Sequence, residues 1–180
     1  MIYLEPFTPD DYHSLNSWIR TEHELIQFSG GIFKYPIDKE QIKKYLDDGL
    51  RHSFKVICTE SSDNGLLNTQ IIIGMAEIYC EDNQTAKLCR ILIGHPDMRG
   101  KGLGKEIIRL LLKKSFEDMA CEYVHLNVYD WNTGAIKCYE QVGFTKNPLI
   151  NQHHIMVDGK QWTTINMSID KPRWQSISSE

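Results

Sequence analysis

No apolar run in this 180-residue chain is long enough to cross a bilayer. The longest, Ile71-Ile72-Ile73 with Gly74-Met75-Ala76 behind it, falls far short of the ~20 residues that a spanning helix needs. The first residues also lack the basic-then-apolar pattern of an export signal, so a cytoplasmic location is expected and no membrane partner. Cysteine spacing is equally unhelpful to metals or disulfides. The five cysteines, at 58, 80, 89, 121 and 138, are odd in number and show no C-x-x-C or C-x-x-H spacing, and read as reduced core residues. His153 and His154 are adjacent, so on a strand they point to opposite faces; with no third ligand in view, no metal is expected. Positive charge is not in excess either. A net charge of −4 gives no basic face of the kind nucleic-acid binders need, and is compatible with a cationic substrate. Repeats and linkers are missing, and the length suits one domain over 1–170 followed by a polar, loosely held tail over 171–180.

What is present is an alternation of strand and helix signals. Ile2 to Phe7 reads as a strand, and Thr8-Pro9-Asp10-Asp11 then supplies a capping residue and a proline at the first helical position. Thr21 to Glu24 repeats the capping pattern ahead of a short helix that Gly30-Gly31 ends, and a third helix is expected from about Asp38 to Asp48. Strands follow at His52 to Glu60, about Gln70 to Cys80 and Thr85 to Ile93, with a loop signal over 61–65. A strongly apolar helix is expected from Leu103 to Phe116, a strand from Tyr123 to Tyr129, and a helix capped by Asn132 and ended by Gly143. Asp158-Gly159 marks a two-residue hairpin between the last two strands. Trp18, His23, Phe28, Phe33 and Tyr35 cluster early in the chain; most are expected in the core, with one or two free to wall a pocket.

The stretch with chemical content joins the strand ending at Ile93 to the helix starting at Leu103 through Arg99-Gly100-Lys101-Gly102-Leu103-Gly104. The first turn of a helix leaves N–H groups without intrahelical partners and carries about half a positive charge, which suits phosphate. Glycines at 100, 102 and 104 allow a diphosphate to approach those groups, and Arg99, Lys101 and Lys105 add charge. A Walker loop is excluded because Gly102 stands where Gly100-Lys101 should be followed by a hydroxyl. A dinucleotide fingerprint is excluded because Lys105 or Ile107 occupies its third glycine position.

Arg99, Gly102 and Gly104 do match a Q/R-x-x-G-x-G/A loop, and Asn132, Ala135, Tyr139 and Gly143-Phe144 match N-x-x-A-x-x-x-Y-x-x-x-G-F. Together these motifs resemble the GNAT acetyltransferase family. The resemblance implies an α/β (α+β) fold: a mixed, mostly antiparallel sheet of about seven strands flanked by helices, with a splay between strands 4 and 5. It also implies acetyl-CoA as cosubstrate, with its pyrophosphate on the loop from Arg99 to Lys105 and its acyl and pantetheine groups against the backbone of Leu92, Ile93 and Gly94. Asn132 and Tyr139 complete the implied cofactor site. An amine acceptor would be the partner, and the chain a monomer or homodimer.

The implied reaction is attack of a neutral amine on the acetyl thioester, with Tyr139 as general acid toward the departing thiolate. The base is open. Glu77, on the neighbouring strand, is one choice, and a solvated edge charge is its equal alternative; relatives often carry a glutamate near Cys89 or Arg90, where this sequence has none. The acceptor is left among a protein N-terminus, a polyamine, an aminoglycoside and a small amine. A silent acyl-CoA-binding sensor is the alternative to an enzyme.

Overall fold

The computed structural model describes residues 1–61, 68–150 and 152–178. Of the loop expected over 61–65, residues 62–65 lie outside the described residues. The strands are β1 (Ile2–Pro6), β2 (Arg51–Ser61), β3 (Asn68–Cys80), β4 (Thr85–Ile93), β5 (Tyr123–Tyr129), β6 (Thr145–Lys146), β7 (His154–Val157) and β8 (Lys160–Asp170). They form an eight-stranded mixed sheet in the order β1-β2-β3-β4-β5-β8-β6, with β7 paired to β8. The count exceeds the seven expected because β6 is a two-residue exposed strand, too short to leave a pattern. Every pairing is antiparallel except β4 with β5.

That parallel pair needs a crossover, and α4 (Leu103–Lys113) supplies it. Its Ile107, Ile108, Leu111 and Leu112 are all buried at i, i+1, i+4 and i+5, so one stripe faces the sheet. The helix expected through Phe116 instead passes at Lys114 into a single π turn that ends at Asp118. Beneath α4 lie Ala76 and Ile78 of β3 and Val124, Leu126 and Val128 of β5, alternate residues of their strands, joined by Ile73 from the irregularity where β3 shifts register against β2. Here α5 (Thr133–Gln141) also packs, its N-terminus capped by Asn132 Oδ1, which accepts from the Ala135 N–H at 3.3 Å.

The opposite face carries α1 (Tyr12–Trp18), α2 (Glu22–Ser29) and α3 (Lys39–Leu46). A 3-10 turn over Pro9–Asp11 precedes α1, since the Asp11 carboxylate accepts from the Thr8 N–H at 2.8 Å. The capping box of α2 is formed by Thr21 and Glu24, and Asp38 caps α3. Leu15, Ile19, Leu25, Ile42 and Tyr45 meet Met75 in a second core on this side.

Of the stretch expected as a polar C-terminal tail over 171–180, residues 179–180 lie outside the described residues and the rest is helical: α6 spans Lys171–Ser178. Asp170 Oδ1 accepts from the Arg173 N–H at 2.9 Å, Arg173 Nε donates to the Gly143 carbonyl at 2.6 Å, and Trp174 packs beside Phe116. One aromatic, one cap and the long side chains of Lys171 and Arg173 hold this short helix, which explains why its polar composition misled.

The sheet opens between β4 and β5. They pair only from Thr85↔Tyr123 to Leu88↔Leu126; beyond that, β4 follows β3 and β5 follows β8. A bulge drives the divergence. Met75 pairs with Leu92 and Glu77 with Cys89, so Arg90 and Ile91 stand against the single residue Ala76, and Arg90 takes a φ of +47°. Past the bulge, the ring of Trp18 lies on the end of β4, where a Cβ on Gly94 would meet it at 2.0 Å. Gly94→Ala should therefore cost about 1–3 kcal/mol through overpacking, read as a lowered urea midpoint at unchanged slope.

Candidate active site

At the open end of the splay, β4 runs through a 3-10 turn over Pro96–Met98 into the glycine loop. Arg99 Nε donates back to the Ile93 carbonyl at 2.9 Å, so the loop is tied to the strand end. Gly102 caps α4 in the left-handed region at φ +82°, a geometry that only glycine adopts without strain. Its carbonyl takes the Lys105 N–H at 3.0 Å; the N–H groups before it point out of the helix start, as an anion requires.

A cavity of about 1090 Å³ extends from this loop through the splay. Lys105, Ile108, Ala135, Cys138 and Tyr139 line it from the α4–α5 side, and Trp18, Ile19 and Phe28 from the α1–α2 side. Of the residues singled out for the cofactor, Leu92, Ile93, Arg99, Gly100, Gly102, Gly104, Lys105, Asn132 and Tyr139 line it. Gly94, Lys101 and Leu103 do not. Gly94 is covered by Trp18, Lys101 faces solvent, and the Leu103 side chain packs on the core.

Tyr139 stands on α5 with its ring 5.9 Å from that of Phe144. Its hydroxyl has no hydrogen-bond partner among the described residues. Burial, and then the neighbouring thiols of Cys138 and Cys89, push the phenol well above its ordinary value, so it stays protonated near neutral pH. Burial also raises the thiols of Cys89 and Cys138, which keeps them thiols rather than nucleophilic thiolates.

Glu77 lies elsewhere than either expectation for it. Ala76 and Ile78 enter the core beneath α4, so Glu77 between them points to the other face, fully buried at 0% exposure. Its carboxylate accepts from the Tyr45 hydroxyl at 2.7 Å, the Ser53 hydroxyl at 2.8 Å and Arg51 Nη1 at 3.0 Å, with Arg90 Nη1 at 3.8 Å. It is no solvated edge charge, and it does not line the cavity. Burial and then the Glu77 charge push the Tyr45 phenol far up, keeping it a donor. With both oxygens committed to these donors and its side chain away from the cavity, Glu77 is not placed to meet an acceptor amine.

The profile of the acetyltransferase (GNAT) family matches residues 12–144. The chain belongs to the GNAT acetyltransferase family. The SPbeta prophage-derived N-acetyltransferase YokL of Bacillus subtilis (strain 168) is 28% identical over 113 residues, 62% of this chain and 60% of its own length, so this chain spans less than two thirds of that relative. Aminoglycoside N(6')-acetyltransferase type 1 of Klebsiella pneumoniae is 23% identical over 150 residues, 81% of this chain and 74% of its own. The structure of spermidine N-acetyltransferase from Vibrio cholerae in complex with CoA and spermine superposes with a TM-score of 0.76 at 17% identity, covering 97% of this chain and 98% of that one. The mixed sheet, its parallel β4–β5 pair and the splay are those expected of a GNAT fold.

In this GNAT chain the early aromatics divide. Phe33 is core, Tyr35 is exposed, His23 packs on Trp162 at 4.6 Å, and only Trp18 and Phe28 reach the cavity. Arg51, Tyr79, Lys87, Arg90, Asn127, Tyr129 and Thr164 also line it and were not anticipated. One signal was available: β5 alternates Val124, Leu126 and Val128 with Tyr123, His125, Asn127 and Tyr129, a polar face in mid-sheet. Removing the buried anion tests how the polar side is held together. Glu77→Ala leaves Arg51 and Arg90 without their shared partner and should cost about 3–5 kcal/mol, measured by urea unfolding.

Proposed function

We propose that this GNAT member transfers the acetyl group of acetyl-CoA to a primary amine by direct attack. One observation carries the reading: the glycine loop at a helix start and the Tyr139 phenol share one cavity that passes through the β4–β5 splay. The named relatives, acting on aminoglycosides or spermidine, support an amine as acceptor, and the neighbouring structure with CoA supports the cosubstrate.

In this reading the N–H groups at the start of α4, with Arg99 and Lys105, hold the pyrophosphate. The unpaired edge of β4 from Cys89 to Ile93 offers main-chain groups to the pantetheine and the acetyl carbonyl. The amine nitrogen bonds to the acetyl carbon, the carbon–sulfur bond breaks, and the thiolate takes the Tyr139 proton. A free thiolate's conjugate acid lies near 8.5, so a phenol raised by burial gives up its proton only as the sulfur charge develops beside it. The amine's proton leaves through water in the cavity, since Glu77 is saturated with donors. Acetyl-CoA-dependent thiol release over a broad panel of amines tests this; a panel in which no amine raises thiol release above the amine-free rate would sink the reading.

A second reading, binding of acyl-CoA without turnover, has one observation in its favour. Among the described lining residues Glu24 is the sole carboxylate, no histidine is present, and Glu24 Oε2 is engaged by the N–H groups of Arg20 and Thr21. Turnover of acetyl-CoA with any amine separates the two, and Tyr139→Phe then tests the acid. If the phenol is the acid, kcat and kcat/KM should fall together by roughly 10² to 10⁴, with the stabilisation of the fold by coenzyme A retained. Near-full turnover would make Tyr139 a packing residue.

A further inference from the structure

Resting on that reading, we propose that the acceptor carries a carboxylate beside its amine, seated on the α1–α3 side of the cavity against the guanidinium of Arg90, with Arg51 and Lys87 around it. Arg90 occupies the β4 bulge at φ +47°, an unfavourable backbone for a branched-off side chain. Its side chain is only 10% exposed, yet it lines the cavity, and its buried Nε–H has no hydrogen-bond partner among the described residues. The nearest counter-charge, Glu77 Oε1, is 3.8 Å away and already accepts from Tyr45 and Arg51. Glu77 therefore moderates the Arg90 charge without using its donors.

The two terminal amino groups of the Arg90 guanidinium, which donate no hydrogen bond among the described residues, offer the planar end-on fork that a carboxylate fills with two parallel bonds. The fork is pre-oriented: its carbon sits 5.3 Å from the centre of the Tyr45 ring, and Arg51 is clamped between Tyr45 at 4.5 Å and Tyr79 at 4.7 Å. Lys87, across the register from Tyr79, also lines the cavity and has no ion pair among the described residues. The same wall is inhospitable to a polycation. Glu24 is the one carboxylate among the described lining residues, and it is spent on the start of α2. This side lies across the sheet from the glycine loop, so its cations are additional to those that face the pyrophosphate.

The test uses pairs of amines that differ only in the carboxylate: phenylalanine with phenethylamine, histidine with histamine, ornithine with putrescine. Thiol release should favour the carboxylate member by about ten- to a hundredfold in kcat/KM, the worth of one charge-assisted pair. Arg90→Gln should collapse that ratio toward one, and Lys87→Gln, at a half-exposed position, should reduce it; the second variant carries the test should the first not fold. Ratios at or below one in the unmodified protein, or an unchanged ratio in Arg90→Gln that still binds coenzyme A, overturn the proposal. If no amine releases thiol, the transferase reading fails on its own. Calorimetry of the coenzyme A-loaded protein with the same pairs then decides the anion: tighter binding of the carboxylate member supports it, equal binding refutes it.

Discussion

The molecule is organised by a pairing that stops. Two parallel strands share four positions and then part at Leu88 and Leu126. Backbone donors and acceptors taken from water need partners, so a sheet that opens in its middle either fills the gap with its own chain or reserves it for another molecule. Here the bulge at Arg90 bends β4 away, Gly94 lets the Trp18 ring lie on its end, and the Arg99 side chain fastens the outgoing loop to Ile93. Each contact holds the same wedge open. The apolar mass of α4, laid across β3 and β5, lets the sheet stay folded despite ladder bonds missing from its centre.

A second constraint is electrical. Arg51, Arg90 and Glu77 lie under α3 with Tyr45 against all three. Buried ions rarely add stability beyond what apolar residues of the same volume would give. What such a cluster supplies is a fixed direction for its donors. Tyr45 caps the carboxylate and stacks on the guanidinium groups, so α3 is fastened to the strands that form one lip of the cavity.

Much of this was written in the sequence, for reasons that differ by element. The stripe of Ile107, Ile108, Leu111 and Leu112 and the caps at Thr21, Asp38 and Asn132 are local signals, and the helices stand where they point. Gly102 was legible because a left-handed backbone at a helix start asks for glycine. The fate of Glu77 was not legible, since its partners come from α3, β2 and β4, and only the register of three strands brings them together. The bulge at Arg90 was hidden too: no local rule places a non-glycine residue at positive φ. The helix α6 went unread because one tryptophan, one cap and the polar contacts of Lys171 and Arg173 dock a polar segment, and β6 because two residues carry no period.

The sheet separates two cores, one under α4 and α5 and the other under α1, α2 and α3, and the cavity touches both. The glycine loop and Tyr139 belong to the first layer; Trp18, Phe28 and the Arg51–Arg90 wall belong to the second. Substitutions that reshape one layer reach the other through the strands between them and through the Trp18 contacts at the end of β4. Such a partition gives divergence a place to happen: the second layer can be rewritten residue by residue while the first keeps its shape, which is the modularity a lineage needs to change what it accepts without relearning what it carries.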